Sequence, residues 1–232
     1  MLDHKYSLES SGYVYPTYLM KVVKDYNTMV EHLEAEDHFF NNFPECGKMS
    51  GLIGRGIYHE EDVWDHTLKV YSIAIEVTNN PEVLLACLLH DYGKPAAYNP
   101  ETKKFTDHEN IGATMVAPRL LEFFPDNTAR QLRIYWLVKN HMWDRDGNKT
   151  DKKRKWWTFF RVMQDYGVTL EEFMIIRYAD FRGRVQNGKW VHDGPAVPFQ
   201  KFCREDNVYT WWKRYIDYLE GGIKSGTRGG SA

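Results

Sequence analysis

Between residues 17 and 220 the apolar positions fall mostly three and four apart, the spacing that lines one face of a helix. Residues 17–38 put Leu19, Met20, Val22, Val23, Tyr26, Met29, Val30 and Leu33 on one broad stripe. A second helix is predicted over 62–78, with Val63, Val70, Ile73, Ala74 and Val77 facing inward. Asn80-Pro81 reads as an N-cap followed by proline at the first helical position, opening a helix that runs through VLLACLL to His90-Asp91. Gly93 fits a C-terminal cap there, and Pro95 forbids continuation. Thr106-x-x-Glu109 has capping-box spacing and predicts a helix toward Phe124, kinked or split at Pro118. Further helices are predicted over 128–142 and over 154–166, the latter closed by Gly167. A second capping box, Thr169-x-x-Glu172, opens a helix to Phe181 and Gly183, and residues 206–220 form a last one before Gly221-Gly222. Strand character is confined to short pairs around Tyr98–Phe105 and Lys189–His192, and there is no internal repeat. The predicted fold class is all-α.

Composition narrows the function classes. The 232 residues are 43% hydrophobic and 27% charged, which suits one soluble domain with extensions and a real core. A net charge of -2 gives no global argument for nucleic-acid or membrane binding, although a local patch remains compatible with it. Cys46, Cys87 and Cys203 are odd in number and show no Cys-x-x-Cys spacing, as expected in a reducing compartment. The start, MLDHKYSLES, lacks a signal-peptide pattern, and no apolar run approaches bilayer length, so the expected location is cytoplasmic. The Gly/Ser-rich end is expected to be a disordered tail over 223–232.

Candidate chemistry lies in the histidines. Of nine, His4, His32 and His38 fall in the N-terminal extension and carry no assigned role; His59, in YHEED, lies near the others in sequence without being a candidate ligand. His66, His90, His108 and His141 each lie at a predicted helix end or on a helix beside apolar residues, with Asp91 next to His90 and Asp180 near the end of a later helix. Neutral imidazole and carboxylate together suit a divalent ion. Consecutive helical residues are turned by about 100°, so His90 and Asp91 share one ion only where the helix ends. A carboxylate there also suits a bridge between two ions, which would activate water and clamp a phosphoryl oxygen. Any one of these histidines alone is more often a satisfied core or surface residue; several together along one helical chain make the metal reading competitive.

The order His66, His90-Asp91, Asp180 resembles the HD superfamily of metal-dependent phosphohydrolases. That resemblance implies a helical core in which His66, His90, Asp91 and Asp180 hold one ion. His108 and His141 resemble the extra ligands of two-metal members, implying a second ion held by Asp91, His108 and His141. The segments YHEEDVWDHTLKV, LLHDYGKPAAY, FTDHENIGA, VKNHM and ADFRGR are similar, in this order, to the HD domain of bacterial CCA-adding tRNA nucleotidyltransferases, over roughly residues 50–184. Those enzymes carry a nucleotidyltransferase domain before the HD domain. The about 50 residues here are too few for one, so only the phosphatase or 2′,3′-cyclic phosphodiesterase chemistry is expected to carry over. The implied layout is an N-terminal helical extension over 1–49, an HD domain over 50–184, a C-terminal helical extension over 185–222 and the tail. The expected cofactor is one or two divalent ions among Mn, Fe, Co, Ni, Mg and Zn.

Substrate contacts are less determined. Lys94, after the His-Asp pair, reads either as a phosphate contact that stabilises the transition state or as an ordinary cation at a helix end. With Asp91 it forms the expected catalytic pair. Arg182 and Arg184 reach the same mouth or belong to a solvated helix end. The stretch 143–157, with Arg145, Lys149, Lys152, Lys153, Arg154, Lys155, Trp156 and Trp157, either grips a nucleotide or single-stranded RNA end or is a solvated loop. The expected function is hydrolysis of a phosphate ester at a nucleotide or RNA terminus. The alternatives are a dNTP triphosphohydrolase or 5′-nucleotidase, and a non-catalytic nucleotide- or RNA-binding module. No membrane and no obligate protein partner is expected.

Overall fold

The computed structural model describes residues 39–55, 61–143, 153–186, 188–191, 199 and 213–221. The predicted helix over 17–38, the five histidines His4, His32, His38, His59 and His192, Cys203, Arg145 with the rest of 144–152, residues 206–212 and the tail lie outside the described residues. What is described is an all-α bundle with two minimal hairpins: α1 (Pro44–Gly47), α2 (Val63–Ala74), α3 (Pro81–Leu89), α4 (Lys94–Ala97), β1 (Tyr98–Asn99), β2 (Lys104–Phe105), α5 (His108–Phe123), α6 (Thr128–Asn140), α7 (Lys153–Asp165), α8 (Leu170–Arg182), β3 (Val185–Gln186) and β4 (Lys189–Trp190). Residues 213–221 are also helical.

The bundle is organised by α3. Seven of its nine residues, Val83 through Leu89, are buried, so it is apolar on every side. Such a helix is stable only with neighbours all round, and α2, α6 and α8 pack against it. Its start is as predicted: the Asn80 side chain accepts from Glu82 N, and Pro81 takes the first turn. The Asn80 amide also donates to Glu172 Oε1 at 2.7 Å, tying this cap to the start of α8. There Thr169 and Glu172 form the predicted capping box. On α7, Trp156, Phe159, Phe160 and Met163 are buried at positions i, i+3, i+4 and i+7, and Phe160 meets Tyr215 and Tyr218 of the 213–221 helix.

Three local expectations differ from the structure. The helix α5 is not opened by a Thr106–Glu109 capping box. Its N-cap is Asp107, in the left-handed region at φ 63°, with no side-chain cap bond. Pro118 sits inside α5 without splitting it. Gly93 is not a left-handed cap either: its φ of -85° is open to any residue. The chain turns at 90–93 and restarts as α4, in whose first turn Pro95 lies. Gly93 is glycine for space. A Cβ there would stand 2.1 Å from His108 O, 2.4 Å from Gly112 N and 2.8 Å from Gly112 Cα. The backbone of α5 therefore crosses directly over the turn that carries His90 and Asp91.

Candidate metal centre

The packing brings one end of several helices together. His90 and Asp91 follow the C-terminus of α3, His141 follows the C-terminus of α6, Asp180 lies in the last turn of α8, and His108 opens α5. His66 lies one turn into α2. Three C-terminal ends at one place put partial negative charge there, which favours a cation. All six predicted ligands are buried and meet in two groups: His66, His90 and Asp180, and Asp91, His108 and His141.

Asp91 stands between the groups. Its Oδ2 lies 3.1 Å from His90 Nε2 and 3.7 Å from His66 Nε2. Its Oδ1 lies 3.3 Å from His108 Nε2 and 3.9 Å from His141 Nε2. The remaining edges are His66 Nε2 to His90 Nε2 at 3.4 Å, His66 Nε2 to Asp180 Oδ1 at 3.3 Å, and His108 Nε2 to His141 Nε2 at 3.2 Å. Ligands about 2.1 Å from one ion are separated by roughly 3.0–3.4 Å in octahedral or tetrahedral geometry, a range that holds all these edges but the two longer ones from Asp91 to His66 and His141.

The tautomers point the same way. Each histidine sets its Nδ1 against a main-chain carbonyl: His66 on Gly183 O at 2.8 Å, His90 on Cys87 O at 2.7 Å, His108 on Phe105 O at 2.9 Å and His141 on Val138 O at 2.8 Å. A carbonyl only accepts, so Nδ1 carries the proton and Nε2 presents its lone pair to the cluster. Two pairs of imidazoles thus face each other lone pair to lone pair. Asp91 Oδ2 is also buried without a hydrogen bond, although Lys94 Nζ lies 2.7 Å away as an ion partner. A buried set of four imidazoles whose Nε2 atoms face one another, together with two carboxylates, fits a divalent cation.

Charge follows position. Burial opposes ionisation of Asp91, but the neighbouring His90, Lys94 and His108 overcome it and hold the carboxyl well below its usual range. His141 is held well below the ordinary histidine value by burial and then by His90 and His108, so it stays neutral. Burial also works against protonated His66, yet the Asp180 and Glu61 carboxylates outweigh it and raise its pKa.

Supporting residues complete the centre. Glu61 is buried, its Oε1 3.3 Å from His66 Nδ1 and its Oε2 accepting from Val185 N at 3.0 Å. Arg184 Nη2 donates to Asp180 Oδ2 at 2.7 Å, turning Oδ1 toward His66. Arg184 and Arg182 are both buried and neither lines the cavity over the cluster; Arg184 supports the cluster through Asp180. That cavity, about 210 Å³, is lined by Asp91, His108, His141 and Asp180 at its floor and by Gly54, Arg55, Lys94, Lys103, Lys104, Phe105 and Met142. Lys94 is buried, lies 5.3 Å over the Phe105 ring, and faces this space. Arg55, Lys103, Lys104 and Glu61 were not singled out from the sequence. The one signal for the lysines is that the predicted hairpin lies between two ligand-bearing segments.

The chain belongs to the HD domain family, whose model matches residues 63–180. Members of this family are generally metal-dependent hydrolases. No curated protein and no solved structure matches the chain. Among the described residues no helix is long and apolar enough to cross a membrane.

Proposed function

We propose that the protein is a metal-dependent phosphohydrolase that removes or opens a phosphate ester, as a phosphatase or 2′,3′-cyclic phosphodiesterase, at a nucleotide or RNA terminus. One observation carries this reading: two buried ligand groups share Asp91, one carboxylate oxygen to each, under a cavity with a cationic wall. His66, His90, Asp180 and Asp91 would hold one divalent ion, and Asp91, His108 and His141 a second. Bound there, the ions supply a water activated at neutral pH and neutralise a phosphoryl oxygen.

The chain's own residues define the rest. Asp91 is kept ionised, so it acts as a ligand and an acceptor that orients the water, not as a proton donor. Lys94 is buried and fixed between Asp91 and the Phe105 ring, where its charge meets negative charge developing on the phosphoryl group. A cavity of about 210 Å³ is smaller than the roughly 300–1,000 Å³ of pockets that enclose a whole small ligand. It suits a phosphate with adjoining atoms, the remainder of the substrate lying outside, which favours a terminal phosphate over an engulfed nucleotide. The similarity of the sequence motifs to the HD domain of CCA-adding enzymes supports an RNA terminus in the same sense.

The test is metal analysis coupled to a phosphoester panel with added Mn, Co, Ni and Mg. The panel holds nucleoside mono- and triphosphates and 2′,3′-cyclic phosphates. The expected result is metal-dependent release of phosphate, or opening of the cyclic ester, by the wild type. Asp91→Ala, folded by circular dichroism, is expected to lose both hydrolysis and metal loading. Release of intact triphosphate would assign the triphosphohydrolase alternative, and full activity in Asp91→Ala would refute the scheme.

A further inference from the structure

The cavity wall carries more positive charge than one phosphate group needs. Its two carboxylates are already matched: Asp91 by Lys94 at 2.7 Å, and Asp180 by Arg184 at 2.7 Å. Arg55, Lys103 and Lys104 remain, and among the described residues none of the three forms an ion pair. Unmatched cations gathered on one wall repel each other and lower stability unless an anion joins them.

The backbone holds them in place. Asn99 Oδ1 accepts from Glu101 N at 3.0 Å and Thr102 N at 2.9 Å, closing the turn between β1 and β2. Lys103 follows in the left-handed region at φ 52°, a conformation that favours glycine or asparagine, yet a lysine occupies it. The hairpin is anchored by the Tyr98–Phe105 ring pair at 5.4 Å, and Phe105 in turn lies under Lys94. Arg55 reaches the same wall because Gly54 sits against Phe105, where an added Cβ would stand 2.5 Å from the ring. Three exposed cations from two distant segments are thus brought to one cavity wall by backbone packed around one aromatic ring.

We propose that Arg55, Lys103 and Lys104 form a second anion subsite, which takes a further phosphate of the same substrate. Resting on the phosphohydrolase reading above, this makes the preferred substrate a phosphate ester carrying at least one additional phosphate. A nucleoside polyphosphate and an oligonucleotide end both present that chemistry. The subsite contributes binding and orientation; it does not touch the reacting phosphorus.

The experiment compares inorganic phosphate with inorganic pyrophosphate on the metal-loaded full chain by isothermal titration, at low and high salt. Binding is read directly, so the result stands whether or not turnover is found. The wild type is expected to prefer pyrophosphate by roughly tenfold, with the preference shrinking as salt screens the cations. Lys103→Ala/Lys104→Ala is expected to lose most of that preference, and Lys103→Arg/Lys104→Arg to keep it. Where turnover is present, the double alanine variant should lower kcat/KM several-fold more for substrates with a second phosphate than for nucleoside monophosphates. Running a nucleoside polyphosphate beside a 3′-phosphorylated oligonucleotide tells which source benefits. Equal affinity of the wild type for the two anions, or an unchanged preference in the double alanine variant, would overturn the subsite.

Discussion

Gly93→Ala is a one-methyl perturbation with a sign that the structure decides. At φ -85° and ψ -9° alanine is conformationally acceptable, and the loss of unfolded-state freedom alone would stabilise by about 0.4–1 kcal/mol. Against this, the new Cβ would lie 2.1 Å from His108 O and 2.4 Å from Gly112 N. Both are backbone atoms of α5, so relief requires the helix to move off the turn by about 1 Å to restore van der Waals contact. Overpacking of that kind costs about 1–3 kcal/mol, which exceeds the entropic gain. The displaced residue includes His108, whose Nε2 must stay near His141 Nε2 and Asp91 Oδ1, now 3.2 and 3.3 Å away. Metal–ligand distances tolerate only about 0.2 Å, so the Asp91–His108–His141 position should weaken by tenfold or more. The His66–His90–Asp180 position does not depend on α5 and should be retained. Urea unfolding of the metal-free protein and a calorimetric Mn titration read both effects. An alanine variant as stable as the wild type, with unaltered Mn binding at both positions, would refute the crossing and its role.

Three further outcomes follow from the same geometry. Arg184→Ala frees Asp180 Oδ2 and should weaken metal at the first position by roughly tenfold, measured by Mn titration, with the second position little changed. Glu61→Gln removes the carboxylate beside His66 Nδ1 while leaving an oxygen to accept from Val185 N; metal affinity at His66 should fall by roughly tenfold with the urea midpoint nearly unchanged. His141 titrates below its unfolded value of about 6.5, so its contribution to the metal-free protein is complete above that pH and is lost as the pH falls through the folded value, because the unfolded chain takes up the proton first. His66, with its raised pKa, contributes in the opposite sense, fully below about 6.5 and less as the pH rises. His141→Gln should therefore flatten the acid-side loss in urea midpoints measured with chelator, and an unchanged acid limb would count against a neutral buried His141.

Much of this was legible in the sequence, for a local reason. Caps and helix stops are short-range signals, so Asn80-Pro81, the Thr169–Glu172 box and the end of α3 at His90-Asp91 were readable directly. The six candidate ligands were readable because they fall at or near helix ends, or on a helix beside apolar residues, and because their order resembles a family. What was not readable depends on segments that meet only in the fold. The Thr106–Glu109 spacing has the letters of a box, but Asp107 takes a left-handed turn so that His108 can hold Phe105 O. Gly93 looked like a cap and is instead a point of backbone contact. Arg182 and Arg184 follow Asp180 in sequence, yet the end of α8 is buried and Arg184 serves Asp180 itself. Arg55 and Lys103-Lys104 share a wall only through Phe105.

The most direct measurement of the shared-carboxylate centre is the electron paramagnetic resonance spectrum of the Mn-loaded protein together with its metal content. Two ions on His66, His90 and Asp180 and on His108 and His141, joined by Asp91, predict two Mn per chain with an exchange-coupled signal that Asp91→Ala abolishes. A wild-type protein that binds no Mn, or an Asp91→Ala variant that retains two coupled ions, would contradict it.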